Sequence, residues 1–237
     1  MIYENDYTII RLFFKGIFCA MISLSIIGGF LIMDGIIFDI DGTLWDSSQP
    51  VLESWNMAIC DNVGADKQIT SEFLAGLFGL SMDKIAAALF PEESQEEQMR
   101  LGEICFDYEN RYLETHPGTL YPGVTTALTT LAKKYKLYIV SNCQCGYINV
   151  FLKTSGLAPL IQDYLCYGDT QTSKGQTIRT LMHKNNLENV VYVGDTQGDA
   201  NACKEADVPF IFVTYGFGDV PDAAVKIDNL TELENVL

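Results

Sequence analysis

Positive charge is scarce in this chain. Fifteen lysines and arginines face 31 aspartates and glutamates, a formal charge of −16 over 237 residues. Such a surface repels phosphate backbones and argues against a nucleic-acid partner. An anionic small molecule would have to be held by a local positive centre, a metal ion or one particular lysine. Histidine is nearly missing as well: His116 and His183 are the two, so chemistry resting on a histidine base has little to choose from. The seven cysteines are odd in number and include no C-x-x-C pair. No cysteine or histidine group lies near enough in sequence to complete a zinc site. Cys60, Cys105, Cys166 and Cys203 are expected as small core residues in a reducing compartment, which points to the cytoplasm. No internal repeat or low-complexity tract is visible. What the chain has in quantity is apolar side chain, 48% of residues, enough for a sizeable buried core.

One uncharged, mostly apolar run, residues 16–33, follows Arg11 and Lys15. It is long enough for a marginal membrane span with a basic flank. A strand expected from about Gly35 leaves almost no linker after it, and Met33-Asp34-Gly35 reads as a natural start for a folded domain. Residues 1–33 are therefore expected to form a hydrophobic extension, its first 32 residues arising from a misassigned start codon, with a genuine anchor or signal as the alternative. Membrane attachment is expected only if residues 16–33 are a real anchor.

The most informative stretch is Ile36-Ile37-Phe38-Asp39-Ile40-Asp41-Gly42-Thr43-Leu44. An apolar run long enough for one buried strand delivers two carboxylates, spaced i and i+2, and then breaks at a glycine. That pattern suits metal-assisted phosphoryl transfer. One carboxylate can attack as a nucleophile, the other can shuttle a proton, and the turn offers backbone N–H groups to phosphate oxygens.

Residues 48–116 carry helical periodicity and no convincing strand. Helices are expected over Pro50–Asn62, Ser71–Phe78, Met82–Phe90 and Glu92–Thr115. Arg100 and Arg111 in the last of these are expected to be surface residues balancing Glu92, Glu96, Glu103 and Glu109. The loop Gly76–Ser81 is the natural candidate to face the site. Before and after this insert, a strand from about Gly35 and strands at 137–140, 164–167, 190–193 and 210–213 alternate with helices, which implies a parallel sheet with sites beyond the C-terminal strand ends. The expected organisation is an α/β core, residues 34–47 and 117–237, interrupted by a helical cap at 48–116.

Asp39, Ser141 and Asp195 all fall at strand ends. Asp195 and Asp199 could converge on a hard cation, or could simply cap a helix. Ser141-Asn142 could be a cap after a strand, and Lys174 a solvated lysine. Taken together, Asp39-Ile40-Asp41-Gly42-Thr43, then Ser141, then Lys174, then Gly194-Asp195 with Asp199 resemble the four ordered motifs of the haloacid dehalogenase-like superfamily. The insert resembles its helical-cap subgroup, which includes phosphoglycolate phosphatase-like and β-phosphoglucomutase-like enzymes.

The resemblance covers roughly residues 34–237 and implies a Rossmann-like parallel sheet flanked by helices, with an inserted α-helical cap. It implies a Mg²⁺-dependent phosphatase acting on small phosphorylated metabolites, with phosphoglycolate as first guess. A phosphomutase is the alternative, and a non-catalytic regulatory protein a more distant one. Asp39 would be the nucleophile and Asp41 the general acid and base. Gly42, Ser141, Asn142 and Lys174 would bind phosphate. Mg²⁺ would be held by Asp39, the Asp41 carbonyl and Asp195, with Asp199 binding metal-bound water or orienting the site. Dehalogenases resembling this fold lack the second aspartate, so Asp41 favours phosphate transfer. Many relatives follow the lysine with proline; here Gly175 follows Lys174. The oligomeric state, monomer or dimer, stays open.

Overall fold

A computed structural model describes residues 33–237. The expected extension, including all but the last residue of the apolar run 16–33, lies outside them. Among the described residues no helix is long and apolar enough to cross a membrane.

The chain runs β1 (Gly35–Phe38), β2 (Trp45–Asp46), α1 (Ser48–Asn62), α2 (Ser71–Ala75), α3 (Met82–Leu89), α4 (Gln95–Leu113), β3 (Thr119–Leu120) and α5 (Val124–Leu131). It continues with β4 (Lys136–Ser141), α6 (Tyr147–Ser155), β5 (Ile161–Cys166), α7 (Tyr167–Thr170), α8 (Lys174–Asn185) and β6 (Val190–Gly194). The last elements are α9 (Gln197–Ala206), β7 (Phe210–Val213), β8 (Lys226–Ile227) and α10 (Leu233–Val236). Six strands form one sheet in the order β5-β4-β1-β6-β7-β8, with every pair parallel. The expected parallel α/β fold is borne out. β7 does not close it, however: β8 pairs outside β7, and β5 begins at Ile161 rather than Tyr164. Two residues, the length of β8, are too few to show a period of two.

β1 is central and buried on both faces, which is why its sequence is a continuous apolar run. Successive side chains point to opposite faces. Ile36 and Phe38 join Leu128, Ile139, Phe151 and Val193 on one side. Ile37 joins Tyr138, Ile178, Leu181, Tyr192 and Cys203 on the other. With β4 and β6 as its two neighbours, β1 ends at the point where the chain's path across the sheet reverses, and its C-terminal end opens on the crevice there.

The helices α1 to α4 gather around a separate apolar cluster that includes Trp55, Ile59, Leu74, Ile85, Leu101 and Phe106. Where the chain leaves and re-enters the sheet region, β2 and β3 form a two-stranded antiparallel ribbon, Trp45 opposite Leu120 and Asp46 opposite Thr119. Asp46 accepts from the Ser48 N–H (2.9 Å) and hydroxyl (2.6 Å), fixing the start of α1. Cys60, expected in the core, is exposed; Cys105, Cys166 and Cys203 are buried.

Candidate active site

Three strand ends deliver site residues, two of them the acids. β1 runs into Asp39 and Asp41, β4 ends at Ser141, and β6 runs into Asp195. Lys174 is the first residue of α8, whose start is capped by the Ser173 hydroxyl accepting from the Gln176 N–H at 3.2 Å. Gly175 leaves this cap intact.

Lys174 is buried, and its Nζ lies 3.0 Å from Asp39 Oδ2 and 2.5 Å from Asp199 Oδ1. Burial alone would lower its pKa, but Asp199 and Asp39 outweigh that and hold it as an ammonium. Asp39 Oδ1 is the single buried side-chain oxygen among the described residues without a hydrogen-bond partner. Burial raises Asp39 to about 7 against the opposing pull of Lys174, and Asp199 adds to the rise. Burial likewise pushes Asp195 well up, with Asp199 and Asp39 as repelling neighbours.

Oxygens of Asp39, Asp195 and Asp199 lie within 4.8 Å of one another. One lysine cannot neutralise this many carboxylates, and a buried oxygen is left over. Hard oxygen donors at this spacing fit a divalent cation. Asp195 is itself oriented by the Phe217 N–H at 2.8 Å and the Thr43 hydroxyl at 3.3 Å. Asp199 also belongs to the cluster, yet both its oxygens are engaged. Oδ2 accepts from the Thr196 N–H (2.9 Å) and hydroxyl (2.6 Å) in a capping box, and Oδ1 holds Lys174. It is a helix cap and a lysine holder at once.

Asp41 is set apart from this group by its own donors. Its Oδ1 accepts from Ser47 Oγ at 2.6 Å, Trp45 Nε1 at 2.9 Å and the Tyr147 hydroxyl. Burial raises its pKa, and the three donors moderate the rise. A carboxyl that is desolvated but well oriented is suited to taking and giving a proton.

Gly42 serves differently from the expectation. Its N–H donates to the Trp45 carbonyl at 3.0 Å, so it is not free for a phosphate oxygen. Its value is conformational: φ is +78°, and a Cβ there would collide with the Asp195 carboxylate. Asn142 is also partly committed, its Nδ2 donating to the Gly79 carbonyl at 2.9 Å and tying the core to the helical insert. At the same junction Phe78 stacks on Phe217 with centroids 4.1 Å apart.

A cavity of about 50 Å³ lies between the two parts. Asp39, Asp41, Ser141, Asn142 and Lys174 form its floor, and Leu77 to Leu80 from the expected loop form part of its roof. The roof also holds a residue the sequence reading placed on the surface. Glu109 is 4% exposed, and its Oε2 accepts from Trp55 Nε1 at 2.6 Å. Burial pushes it up to about 8. The signal was present: Leu101, Cys105, Glu109 and Leu113 form one buried stripe of α4 at spacing four. Arg100 and Arg111 do pair on the surface, but with Glu97 and Asp107, each at 2.6 Å.

The fold also assembles a sulfur group the spacing did not show. Ligand atoms of Cys145, Cys166 and Asp169 lie within 4.8 Å of one another. Asp169 is occupied there in closing a capping box at the start of α7.

The sequence profile of the haloacid dehalogenase-like hydrolases matches residues 36–213. A plasmid-encoded phosphoglycolate phosphatase of Cupriavidus necator is 25% identical over 206 residues, covering 83% of this chain and 88% of its own. One from Cereibacter sphaeroides is 28% identical over 201 residues, covering 80% and 88%. Among solved structures, a predicted phosphoglycolate phosphatase from Haemophilus somnus superposes with a TM-score of 0.76 at 22% identity, covering 88% of this chain and 99% of that one. A predicted phosphatase from Clostridium acetobutylicum gives 0.72 at 20% identity, covering 86% and 97%. The motifs, the sheet order and the profile agree, and the chain belongs to the haloacid dehalogenase-like hydrolase family.

Proposed function

We propose that this hydrolase is a Mg²⁺-dependent phosphatase that cleaves small phosphomonoesters through an aspartyl-phosphate on Asp39, with residues 48–116 acting as a lid over the core. The observation that carries the reading is the placement of Lys174 between Asp39 and Asp199, with Asp39 Oδ1 left unpartnered in the same pocket as Asp41. An oxygen of Asp39 attacks phosphorus, forming the acyl-phosphate bond as the bond from phosphorus to the leaving oxygen breaks. Asp41 gives that leaving oxygen a proton. Asp41 then takes a proton from the water that attacks the acyl phosphate, which releases inorganic phosphate and regenerates Asp39. Lys174 and the Ser141 hydroxyl neutralise and hold the phosphoryl oxygens, and one N–H of Asn142 remains for the same task.

Asp39, Asp195 and the Asp41 carbonyl would hold Mg²⁺, with Asp199 steadying Lys174 beside them. The bound ion supplies positive charge against the phosphoryl oxygens. The lid excludes water from the reacting centre. Phosphoglycolate, the substrate in the relatives' names, belongs in the first panel of compounds. A non-catalytic role has no use for Asp39, Asp41, Lys174 and Asp195 together. Phosphate release that needs Mg²⁺ and disappears in Asp39→Asn supports the reading; release that persists in Asp39→Asn contradicts it.

A further inference from the structure

The lid end of the cavity is unlike a carboxylate site. Its walls are mostly apolar, with Val51, Leu74, Leu77, Met82 and Ile85 among them, and among the described residues Lys174 is the one basic residue lining the cavity. That lysine is already shared between Asp39 and Asp199 on the core side.

The donors at the lid end are committed too. Trp55 Nε1 donates to Glu109, and the Tyr147 hydroxyl donates to Asp41. Gln144 Nε2 donates to Asn110 Oδ1 at 3.0 Å and to the Phe106 carbonyl at 3.4 Å. What this end offers a leaving group is the carboxyl of Glu109. With Glu109 ionised, a carboxylate moved here from water would meet a like charge and gain no cation. An ammonium or hydroxyl would gain an acceptor.

We propose that Glu109 makes the lid end of the cavity a leaving-group subsite for phosphomonoesters whose alcohol part carries a hydrogen-bond donor, an amino or hydroxyl group, and that it rejects those ending in a carboxylate. The proposal rests on the phosphatase reading above and adds the substrate class to it. Burial pushes Glu109 up to about 8 against the pull of the Trp55 and Gln144 donors, with no cation beside it among the described residues, and a substrate ammonium would supply that missing partner. The cavity adjoins a larger space of about 540 Å³ that shares Gly79, Leu80, Asn142 and Lys174 with it, so charge and donors at the lid end set the preference rather than size.

The test uses three esters of nearly equal size: 2-aminoethyl phosphate, 2-hydroxyethyl phosphate and phosphoglycolate. They are assayed with Mg²⁺ at pH 9, above the value of about 8 to which burial pushes Glu109, alongside p-nitrophenyl phosphate, whose good leaving group reports the chemistry alone. The expected result is a kcat/KM for the amino and hydroxyl esters about tenfold or more above that for phosphoglycolate. Glu109→Gln keeps an acceptor for Trp55 but removes the charge. It should cut the advantage of the amino ester about tenfold while sparing p-nitrophenyl phosphate. Phosphoglycolate as the best of the three overturns the substrate class and leaves the phosphatase reading standing. No release from p-nitrophenyl phosphate overturns both. The ranking in the unaltered protein decides even if the variant fails to fold.

Discussion

Lys174 reaches Asp39 with its Nζ 3.0 Å from Oδ2, and it leaves the other oxygen of that carboxylate buried and without a partner. The contact holds the proposed nucleophile in one orientation while keeping one oxygen available. Removing the cation would strand Asp39, Asp195 and Asp199 together. Lys174→Met should therefore lower stability by about 3–5 kcal/mol, the usual cost of breaking a buried pair. It should lower kcat on the order of 10²-fold or more, because the phosphoryl charge loses its fixed counter-charge. Chemical denaturation and phosphate release measure the two effects separately.

The crowded carboxylates also set a pH dependence. Asp39 sits at about 7 in the fold against an ordinary 3.8, and Glu109 at about 8 against 4.5. Between those limits the folded protein keeps protons that the unfolded chain has lost, so stability of the metal-free protein falls as pH rises from about 4 to about 8. Mg²⁺ held by Asp39 and Asp195 as proposed would compete with the protons there and should reverse the trend. The rise in melting temperature on adding Mg²⁺ should be larger at pH 8 than at pH 5, and equal shifts at both would count against a carboxylate-bound ion.

Tyr147 donates to Asp41 together with Ser47 and Trp45. Tyr147→Phe removes one of the donors that restrain the pKa of Asp41, so that pKa should rise further. The limb of the kcat profile that requires ionised Asp41 for water attack should move to higher pH, with KM little changed. A pH profile superimposable on that of the unaltered protein would show that Tyr147 has no hold on the proton carrier.

Gly42 leaves no room for a side chain. Gly42→Ala combines a positive φ of 78° with a collision against the Asp195 carboxylate. The variant should lose about 1–3 kcal/mol of stability to strain. It should also lose affinity for Mg²⁺ as Asp195 is displaced. Titration calorimetry with Mg²⁺ beside a melting curve distinguishes a displaced ligand from a globally weakened fold.

Much of the fold was legible because β1 writes its burial and its chemistry in one line: an apolar run, two acids, then a glycine. Lys174 and Asp195 follow in an order that the sheet converts into a common location. Glu109 was not legible as a site residue, because a charged side chain on a long helix reads as solvent-facing. The spacing of four from Leu101, Cys105 and Leu113 marks its face, and the packing of α1 on α4, which brings Trp55 to it, confirms that this stripe is buried. Asp199 was ambiguous for a different reason. The chemistry of a helix cap and of an acid beside a metal uses the same residue type at the same place, and the structure shows it capping α9 while gripping Lys174. The Gly42 N–H was misplaced because a D-x-D-G sequence does not reveal that the turn folds back onto the Trp45 carbonyl. β2, β3 and β8 are two residues each, shorter than any pattern that hydropathy can display.

The account turns on Asp39 becoming phosphorylated. The most direct measurement is rapid acid quenching of the protein during turnover with Mg²⁺, followed by peptide mass spectrometry over the segment that carries Asp39 and Asp41. A phosphoryl group on Asp39 in the unaltered protein, and none in Asp39→Asn, is the expected result. Phosphate release under the same conditions with no covalent phosphate on Asp39, or with release undiminished in Asp39→Asn, would contradict the account.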